Sequence, residues 1–396
     1  MQLLLSFRRF LRALVVALLC GGATQAHAAT EAEPEALLNQ AFEEINGNRL
    51  DAALATIDRL LALKPQFRLA HLVKGDLLLA RARAILTLGN AANAPRDRLD
   101  DLREEAIARL NAYRERPQAD SVPRYLLQLN SDQKHAIVVD TQKSRLYLYQ
   151  NDKGTPRFVA DYYISTGKRG GEKTREGDQK TPVGVYHVTS SLPRNKLSDF
   201  YGSGAFPINY PNEWDKRQGR NGHGIWLHGT PSDTYSRPPR ASDGCVVLAN
   251  ADLDALGKNL QIGLTPVIIS DNVEWLSHDD WNDERKSLNE EIERWRRDWE
   301  SLDTESYLAH YSRKFSAANA DFQQWSAQKR QVNAQKEWIK LRVGNISMFR
   351  NPGKDDMVVV TFEQDYRSSN LSNQMKKRQY WIKEDRKWRI VYEGAA

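Results

Sequence analysis

The chain has 396 residues, which at about 150 residues per domain predicts two or three domains. With 40% hydrophobic residues, 27% charged residues and two cysteines, the composition is globular and excludes a disordered or collagen-like chain, a multi-span membrane protein, a disulfide scaffold and a four-thiolate zinc site. The net charge of +6 is mild and no run of Lys and Arg stands out, so no nucleic-acid partner is expected.

The N-terminus predicts an export signal. Three arginines among the first twelve residues precede a short apolar run, and Ala26-His27-Ala28 fits the small-residue cleavage pattern, so residues 1–28 are expected to be a signal peptide of a periplasmic protein. The apolar run is too short for a stable spanning helix, so no transmembrane span is expected after cleavage. The alternatives are an uncleaved N-terminal anchor and a lipid anchor on Cys20, where Leu19 replaces the usual small residue.

Residues 31–118 predict helices, because apolar residues recur there at helical spacing. The three apolar stretches are Leu37, Leu38, Ala41 and Ile45; Ala53, Leu54, Ile57, Leu60 and Leu61; and Leu69 through Leu79. Ala41 and Gly75 are small residues one 34-residue repeat apart, so the region resembles tetratricopeptide repeats, although the Trp and Tyr of that pattern are missing. A generic helical hairpin and a surface for a protein partner or for self-association fit this pattern equally.

Residues 133–272 change to a two-residue period, which predicts a mostly-β domain. The predicted strands are 135–140, 145–149 and 158–165, with a turn at 151–154. The glycine-rich stretch that follows lacks the order of a phosphate-binding loop, and no cofactor is expected.

Residues 284–396 predict an α+β domain with its own aromatic core, since eight of the ten tryptophans lie from Trp275 onward. The predicted helices contain Ile292, Trp295, Trp299 and Leu302, then Tyr307, Leu308 and Tyr311; the predicted strands are 338–343, 357–366, 379–383 and 388–392. The segment resembles the nuclear transport factor 2-like cone. No acid–base pair is obvious in it, which favours a recognition module over a second active site.

The chemical centre is predicted where an apolar strand delivers His228 and, after a polar loop, Gly244 precedes Cys245. Removal of the signal peptide would leave Cys245 as the only thiol, either buried and inert or reactive. A reactive thiol needs a neighbouring base, which His228 can supply if the loop folds back. Gly244 permits a tight turn that aims N–H groups at an oxyanion.

These residues resemble the L,D-transpeptidase catalytic domain of the YkuD type. His228-Gly229, a loop and Ser242-Asp243-Gly244-Cys245 follow its hallmark, and 177–184 follows its second signature. The resemblance implies that Cys245 attacks the diaminopimelate–D-Ala bond of peptidoglycan tetrapeptide stems, forming a thioester. It implies that His228 is the base, oriented by the Gly229 carbonyl, and that the N–H groups of Gly244 and Cys245 stabilise the oxyanion.

The resemblance implies transpeptidation first and L,D-carboxypeptidation second, the latter because cell-shape-determining L,D-carboxypeptidases of helical bacteria pair a similar domain with a cone. Asp243 and Val247 stand where the family has His and a polar residue, which leaves a non-catalytic wall-binding adaptor as a further alternative. A carboxylate at Asp243 is expected to favour a protonated His228 and to disfavour the thiolate.

Several other residues near the predicted centre are open to more than one interpretation. Trp226, Tyr210 and Arg240 are the candidate substrate-binding residues, and a core position is the alternative for Trp226. Asp178 is expected to form a turn rather than act as an acid. Zinc binding by His223, His228 and Asp243 is disfavoured by their spacing, so no metal is expected.

Overall fold

The computed structural model describes residues 33–91, 93–118, 120–317, 320–353 and 355–396, and the predicted signal peptide lies outside them. The chain divides into two compact units. The first contains residues 33–106 and Asp233–Tyr235, and the second contains the other described residues, so the β domain and the cone lie in one unit. None of the helices in the described ranges is long and apolar enough to cross a membrane.

The first unit is helical, as predicted. Its helices are α1 (Glu33–Asn46), α2 (Leu50–Leu63), α3 (Arg68–Ala80) and the first part of α4 (Arg96–Arg114). Their apolar faces form one core, which also takes in Tyr235, whose ring centroid lies 4.5 Å from that of Phe67. Ala41 is fully buried there, whereas a Cβ on Gly75 would meet no atom within 4 Å. Packing therefore requires a small residue at only one of the two repeat positions, and the tetratricopeptide-like character stays a prediction.

The β domain contains a ten-stranded sheet in the order β6-β12-β3-β4-β5-β11-β9-β8-β7, with β10 beside β5. Its central strands are apolar on both faces, because alternate residues of β3 and β4 enter two separate cores. The bounds are β3 (His135–Asp140), β4 (Arg145–Asp152), β5 (Thr155–Gly167), β6 (Gly184–His187), β7 (Leu192–Pro193), β8 (Gly204–Pro207), α5 (Glu213–Arg217), β9 (Trp226–His228), β10 (Arg240–Ser242), β11 (Val246–Leu248), α6 (Asn250–Gly257) and β12 (Pro266–Ser270).

The C-terminal region is an α+β cone with a seven-stranded sheet in the order β15-β14-β19-β18-β17-β16-β2, in which β2 is Leu126–Gln128. Six tryptophans from its helices and strands share one core, which confirms the predicted aromatic core. The bounds are α7 (His278–Glu300), α8 (Thr304–Leu308), β14 (Tyr311–Ala317), β15 (Ala320–Asp321), α9 (Phe322–Asn333), β16 (Ile339–Asn351), β17 (Met357–Ser368), β18 (Leu371–Glu384) and β19 (Lys387–Ala395). The prediction of Tyr311 in a helix is wrong, because it begins β14, and α9 was not predicted.

One strand of the cone comes from a distant part of the chain. β2 (Leu126–Gln128), before the β domain, pairs with β16, and Leu127 is fully buried in the cone's core. The Trp281 indole N–H donates to the Leu126 carbonyl at 2.7 Å. Beside it, β1 (Val122–Pro123) pairs with β13 (Trp275–Leu276). The chain therefore enters and leaves the β domain through paired strands.

Candidate active site

The strands that carry the candidate residues lie side by side. β9 and β11 are parallel, and His228 lies opposite Val247. Alternate residues of a strand point to opposite faces, and the residue between Trp226 and His228 enters the apolar core together with Val246. His228 and Cys245, which directly precedes β11, therefore face the same side. The fold brings the two predicted reactive side chains together on one face.

His228 is oriented by its neighbour in the chain. Its Nδ1 lies 2.7 Å from the Gly229 carbonyl oxygen, which can only accept, so Nδ1 carries the proton and the Nε2 lone pair is free to accept one. The side chain is 1% exposed. Burial lowers the pKa of His228 to about 4, the Gly229 hydrogen bond opposes this, and the positive charge of Arg237 adds to it. The imidazole is thus neutral near neutral pH.

The cysteine is also neutral in the resting site. Burial raises the pKa of the Cys245 thiol; the Trp226 backbone opposes this, Asp243 adds to it, and the charges of Arg237 and Lys173 oppose it. The thiol donates to the Gly224 carbonyl oxygen at 3.4 Å. A neutral thiol on the same face as a neutral imidazole could act as a nucleophile only if its proton were transferred during the attack, which is the chemistry of general-base catalysis.

Ser242 holds the turn before the cysteine. Its hydroxyl donates to the Cys245 carbonyl at 2.6 Å and accepts from the Gly244 N–H at 3.1 Å. Gly244 has φ of +131°, and a Cβ there would lie 2.7 Å from the Lys180 carbonyl oxygen, so only glycine fits. The bond to Ser242 corrects the expectation that the Gly244 N–H is an oxyanion donor. Of the expected pair, the Cys245 N–H is left.

The Asp243 carboxylate is bound to Lys168 and Gln179 rather than to His228. Its carboxylate accepts from Lys168 Nζ at 2.9 Å and from Gln179 Nε2 at 3.1 Å. The hydrogen bond from Lys168 is the main reason that its pKa is lowered. The expectation that Asp243 favours a protonated His228 is wrong, because burial of the imidazole dominates and Lys168 balances the carboxylate. The expectation that Asp243 disfavours the thiolate agrees with the structure, since its charge adds to the raised pKa of Cys245.

The second signature supports the cysteine turn. Thr181 Oγ1 donates to the Gly244 carbonyl at 3.0 Å and accepts from the Gly167 N–H at 2.9 Å. Asp178 accepts from Lys173 Nζ at 2.7 Å and from three backbone N–H groups. Although burial opposes it, these bonds lower the pKa of Asp178 to about 2. The contacts of Asp178 are those of a turn residue.

Sequence reasoning missed Asn250, which fixes the loop after His228. Its Oδ1 accepts from the N–H groups of Ser203 and Thr230 at 2.9 and 3.2 Å, and its Nδ2 donates to the Thr230 carbonyl at 2.9 Å. A Cβ on Gly229 would lie 2.1 Å from that oxygen, which explains the glycine after the histidine. Nothing in the sequence distinguishes Asn250 from an ordinary turn residue.

Two family models match separate parts of this chain. Residues 134–269 match the YkuD family, described as the L,D-transpeptidase catalytic domain. The central domain is an L,D-transpeptidase catalytic domain. Residues 287–394 match the Cds6 C-terminal nuclear transport factor 2-like domain. The resemblance inferred from both motif sets is therefore confirmed. Comparison with curated proteins gives no match.

Two solved structures match this chain over about two thirds of its length or more. Bd1075 from Bdellovibrio bacteriovorus is 29% identical with a TM-score of 0.62, and the match covers 70% of this chain and 98% of that one. The helical cell shape determining protein Pgp2 from Campylobacter jejuni is 26% identical with a TM-score of 0.59, covering 68% and 95%. Each match covers nearly the whole length of the other protein, and one of the two is named for helical cell shape.

Aromatic rings line one side of the L,D-transpeptidase site. Phe200 is 50% exposed, and its ring centroid lies 5.8 Å from that of His228. The Tyr201 ring lies 5.1 Å from His228 and 4.8 Å from Trp226, which is half-buried. Sequence reasoning selected Trp226 but missed Phe200 and Tyr201, which have no family signature in the sequence. An exposed ring beside a reactive pair is suited to binding a substrate.

The other two candidate substrate-binding residues differ from each other. Tyr210 is 6% exposed in the apolar core, and its hydroxyl donates to the Asn221 carbonyl at 3.0 Å, which corrects its expected place in the cleft. Arg240 is exposed on β10 beside β5. Among the described residues no three His, Cys, Asp or Glu side chains are placed to hold a metal.

The cone contains a buried ion pair that sequence reasoning missed. Lys377 Nζ lies 2.8 Å from Glu393, which also accepts from Gln379 at 2.7 Å and from the Tyr311 hydroxyl at 3.2 Å. Burial raises the pKa of Glu393, but Lys377 and Lys329 outweigh it, and the net pKa is lowered. The sequence showed no acid–base pair in the cone, whereas the structure contains the ion pair of Lys377 and Glu393, in which the carboxylate stays charged.

Proposed function

We propose that this chain is a peptidoglycan-modifying cysteine enzyme that cleaves the diaminopimelate–D-Ala bond of tetrapeptide stems. One observation carries the proposal: Cys245 and His228 share one face of paired strands, with His228 Nδ1 bonded to the Gly229 carbonyl at 2.7 Å. Both residues lie in the domain that matches the L,D-transpeptidase catalytic family. Export to the periplasm, where this substrate lies, belongs to the proposal.

The residues support a two-step acyl transfer. His228 Nε2 takes the thiol proton as Cys245 Sγ forms a bond to the carbonyl carbon of the L-centre, and the Cys245 N–H stabilises the oxyanion. The C–N bond then breaks, and the imidazolium gives its proton to the leaving amine of D-Ala. A thioester remains on Cys245.

The second step decides between two activities. An amine that attacks the thioester gives a cross-link, whereas water gives a tripeptide stem; in both, His228 takes the proton of the attacking group and the thiol is released. The chain is similar to Pgp2, which is named for helical cell shape. This likeness supports a role in cell shape, and the resemblance of the sequence to cell-shape-determining L,D-carboxypeptidases favours hydrolysis as the second step.

Incubation of the purified mature protein with a disaccharide-tetrapeptide tests the proposal. Tripeptide with free D-Ala would identify a carboxypeptidase, and cross-linked dimers would identify a transpeptidase. Cys245→Ala is the control and should be inactive. If the wild type and Cys245→Ala leave the substrate equally unchanged, the enzyme proposal fails.

A non-catalytic wall-binding adaptor is the second candidate, favoured by the raised pKa of Cys245 and by the apolar Val247 beside His228. A carbapenem separates the two. An active Cys245 should give a single mass adduct on the intact protein. Absence of that adduct, with sacculi still bound, would favour the adaptor.

A further inference from the structure

Arg237 lies against Phe200, the ring next to His228, and its charge has no ion-pair partner in the part of the chain that the structure describes. Its guanidinium carbon is 4.6 Å from the ring centroid of Phe200, the exposed ring that in turn faces His228. The side chain is half-buried. Among the described residues the guanidinium forms no ion pair and no hydrogen bond. The guanidinium packs against the face of the Phe200 ring.

The nearby carboxylates are already bound to other groups. Asp243 accepts from Lys168 and Gln179, and Asp199 lies 3.6 Å from Arg194 and accepts from Ser232. The positive charge of Arg237 nevertheless acts on the site, because it lowers the pKa of both His228 and Cys245. A half-buried guanidinium with no anion of its own, held against the mouth of a site, is suited to bind an anionic part of a substrate.

The proposed reaction supplies such a group. The leaving D-Ala has a free carboxylate three covalent bonds from the scissile carbonyl carbon, so a cation close to Cys245 is within reach of it. A planar guanidinium pairs with a carboxylate through two parallel hydrogen bonds, and Phe200 holds it in place. We propose that Arg237 is a specificity-determining residue that binds the terminal carboxylate of the donor stem, and this rests on the proposed function.

The test compares two donors in the full mature protein: a disaccharide-tetrapeptide ending in D-Ala as the free acid, and the same stem ending in D-alaninamide. The wild type should prefer the acid about 30-fold or more in kcat/KM, since a charged bidentate pair is lost with the amide. Arg237→Gln should remove that preference by lowering kcat/KM for the acid while leaving the amide within about threefold. Arg237→Lys should keep part of the preference.

Two controls separate this role from others. Arg194→Gln removes an exposed arginine that pairs with Asp199, next to Phe200, and should keep the preference of the wild type. A stem amidated only on the side chain of diaminopimelate should still depend on Arg237, because its terminal carboxylate is intact. If Arg240→Gln removes the preference instead, if Arg237→Gln lowers both donors equally, or if only the diaminopimelate carboxylate matters, the proposal is overturned.

Binding to Cys245→Ala keeps the inference testable if the wild type is inactive. Calorimetry should show tighter binding of the acid than of the amide, and the double variant Cys245→Ala, Arg237→Gln should bind both alike. An inactive wild type with this binding difference would refute the proposed function but not the carboxylate site. Equal binding of acid and amide to Cys245→Ala would refute the site, whatever the activity.

Discussion

Acid should destabilise the protein through His228, and replacing that one side chain should relieve the effect. The imidazole is 1% exposed, and its burial keeps it neutral in the folded state. In the unfolded chain it is solvated and takes up a proton more readily. His228→Gln removes the titrating group and keeps an amide that can donate to the Gly229 carbonyl.

The magnitude follows from the two pKa values of His228, about 4 when folded and 6.5 ordinarily. Because the folded pKa is the lower one, the contribution is fully present above pH 6.5 and is lost as the pH falls toward 4. The total is about 3 kcal/mol, at about 1.4 kcal/mol per pKa unit. At pH 4.5 the loss is about 2.5 kcal/mol, and at pH 7 it is about 0.2 kcal/mol.

Urea unfolding at pH 7 and pH 4.5 measures this effect. Relative to the wild type, His228→Gln should gain about 2 kcal/mol in the free energy of unfolding at the lower pH, whatever its cost at pH 7. His223→Gln, which removes an exposed histidine of the same domain, should show a change below about 0.5 kcal/mol. If the stability difference between His228→Gln and the wild type is the same at both pH values, burial does not control this histidine.

Asp178→Asn should lower the free energy of unfolding at pH 7 by about 2 kcal/mol, because the Asp178 pKa rises from about 2 to its ordinary 3.8 on unfolding. Urea unfolding should show the gap closing as the pH falls from about 4 to 2, and a constant gap would contradict it. Asn250→Ala should slow carbapenem acylation about tenfold, since the N–H and carbonyl of Thr230, in the loop after His228, and the N–H of Ser203 lose a partner; a normal acylation rate would mean that the loop does not depend on these bonds. Leu127→Ala should destabilise the cone by about 2 to 5 kcal/mol, measured by tryptophan fluorescence on urea unfolding, and a cost below about 1 kcal/mol would exclude β2 from its core.

The sequence predicted the parts of the fold that rest on local pattern. β3 and β4 are continuous apolar runs, and they form the centre of the sheet within a few residues of the predicted bounds. His228 and Cys245 each lie at the edge of an apolar strand, so the sequence predicted that their side chains meet if the loop between them folds back. The parallel pairing of β9 with β11 meets that condition. The predicted orientation of His228 by Gly229 agrees with the 2.7 Å contact.

Features that depend on contacts between distant residues could not be predicted. β2 is three residues long, too short for a period, and its partner β16 lies more than two hundred residues away in the chain. The roles of Asn250 and Arg237 depend on how the loop after His228 folds back toward Cys245, which no local pattern in the sequence specifies. The bond between Ser242 and the Gly244 N–H depends on a backbone angle that a glycine permits but does not dictate.

The strand β2 makes the catalytic domain an insertion within the cone. The first strand of the cone is synthesised before the catalytic domain and the rest of it afterwards, so the cone closes only when the inserted domain has brought its ends together. The pairing of β1 with β13 holds these ends side by side. A fragment that starts at residue 284 would leave the edge of β16 unpaired and part of an apolar core open to water, which is a template for aggregation. The shortest continuous fragment that contains every strand of the cone therefore also contains the catalytic domain.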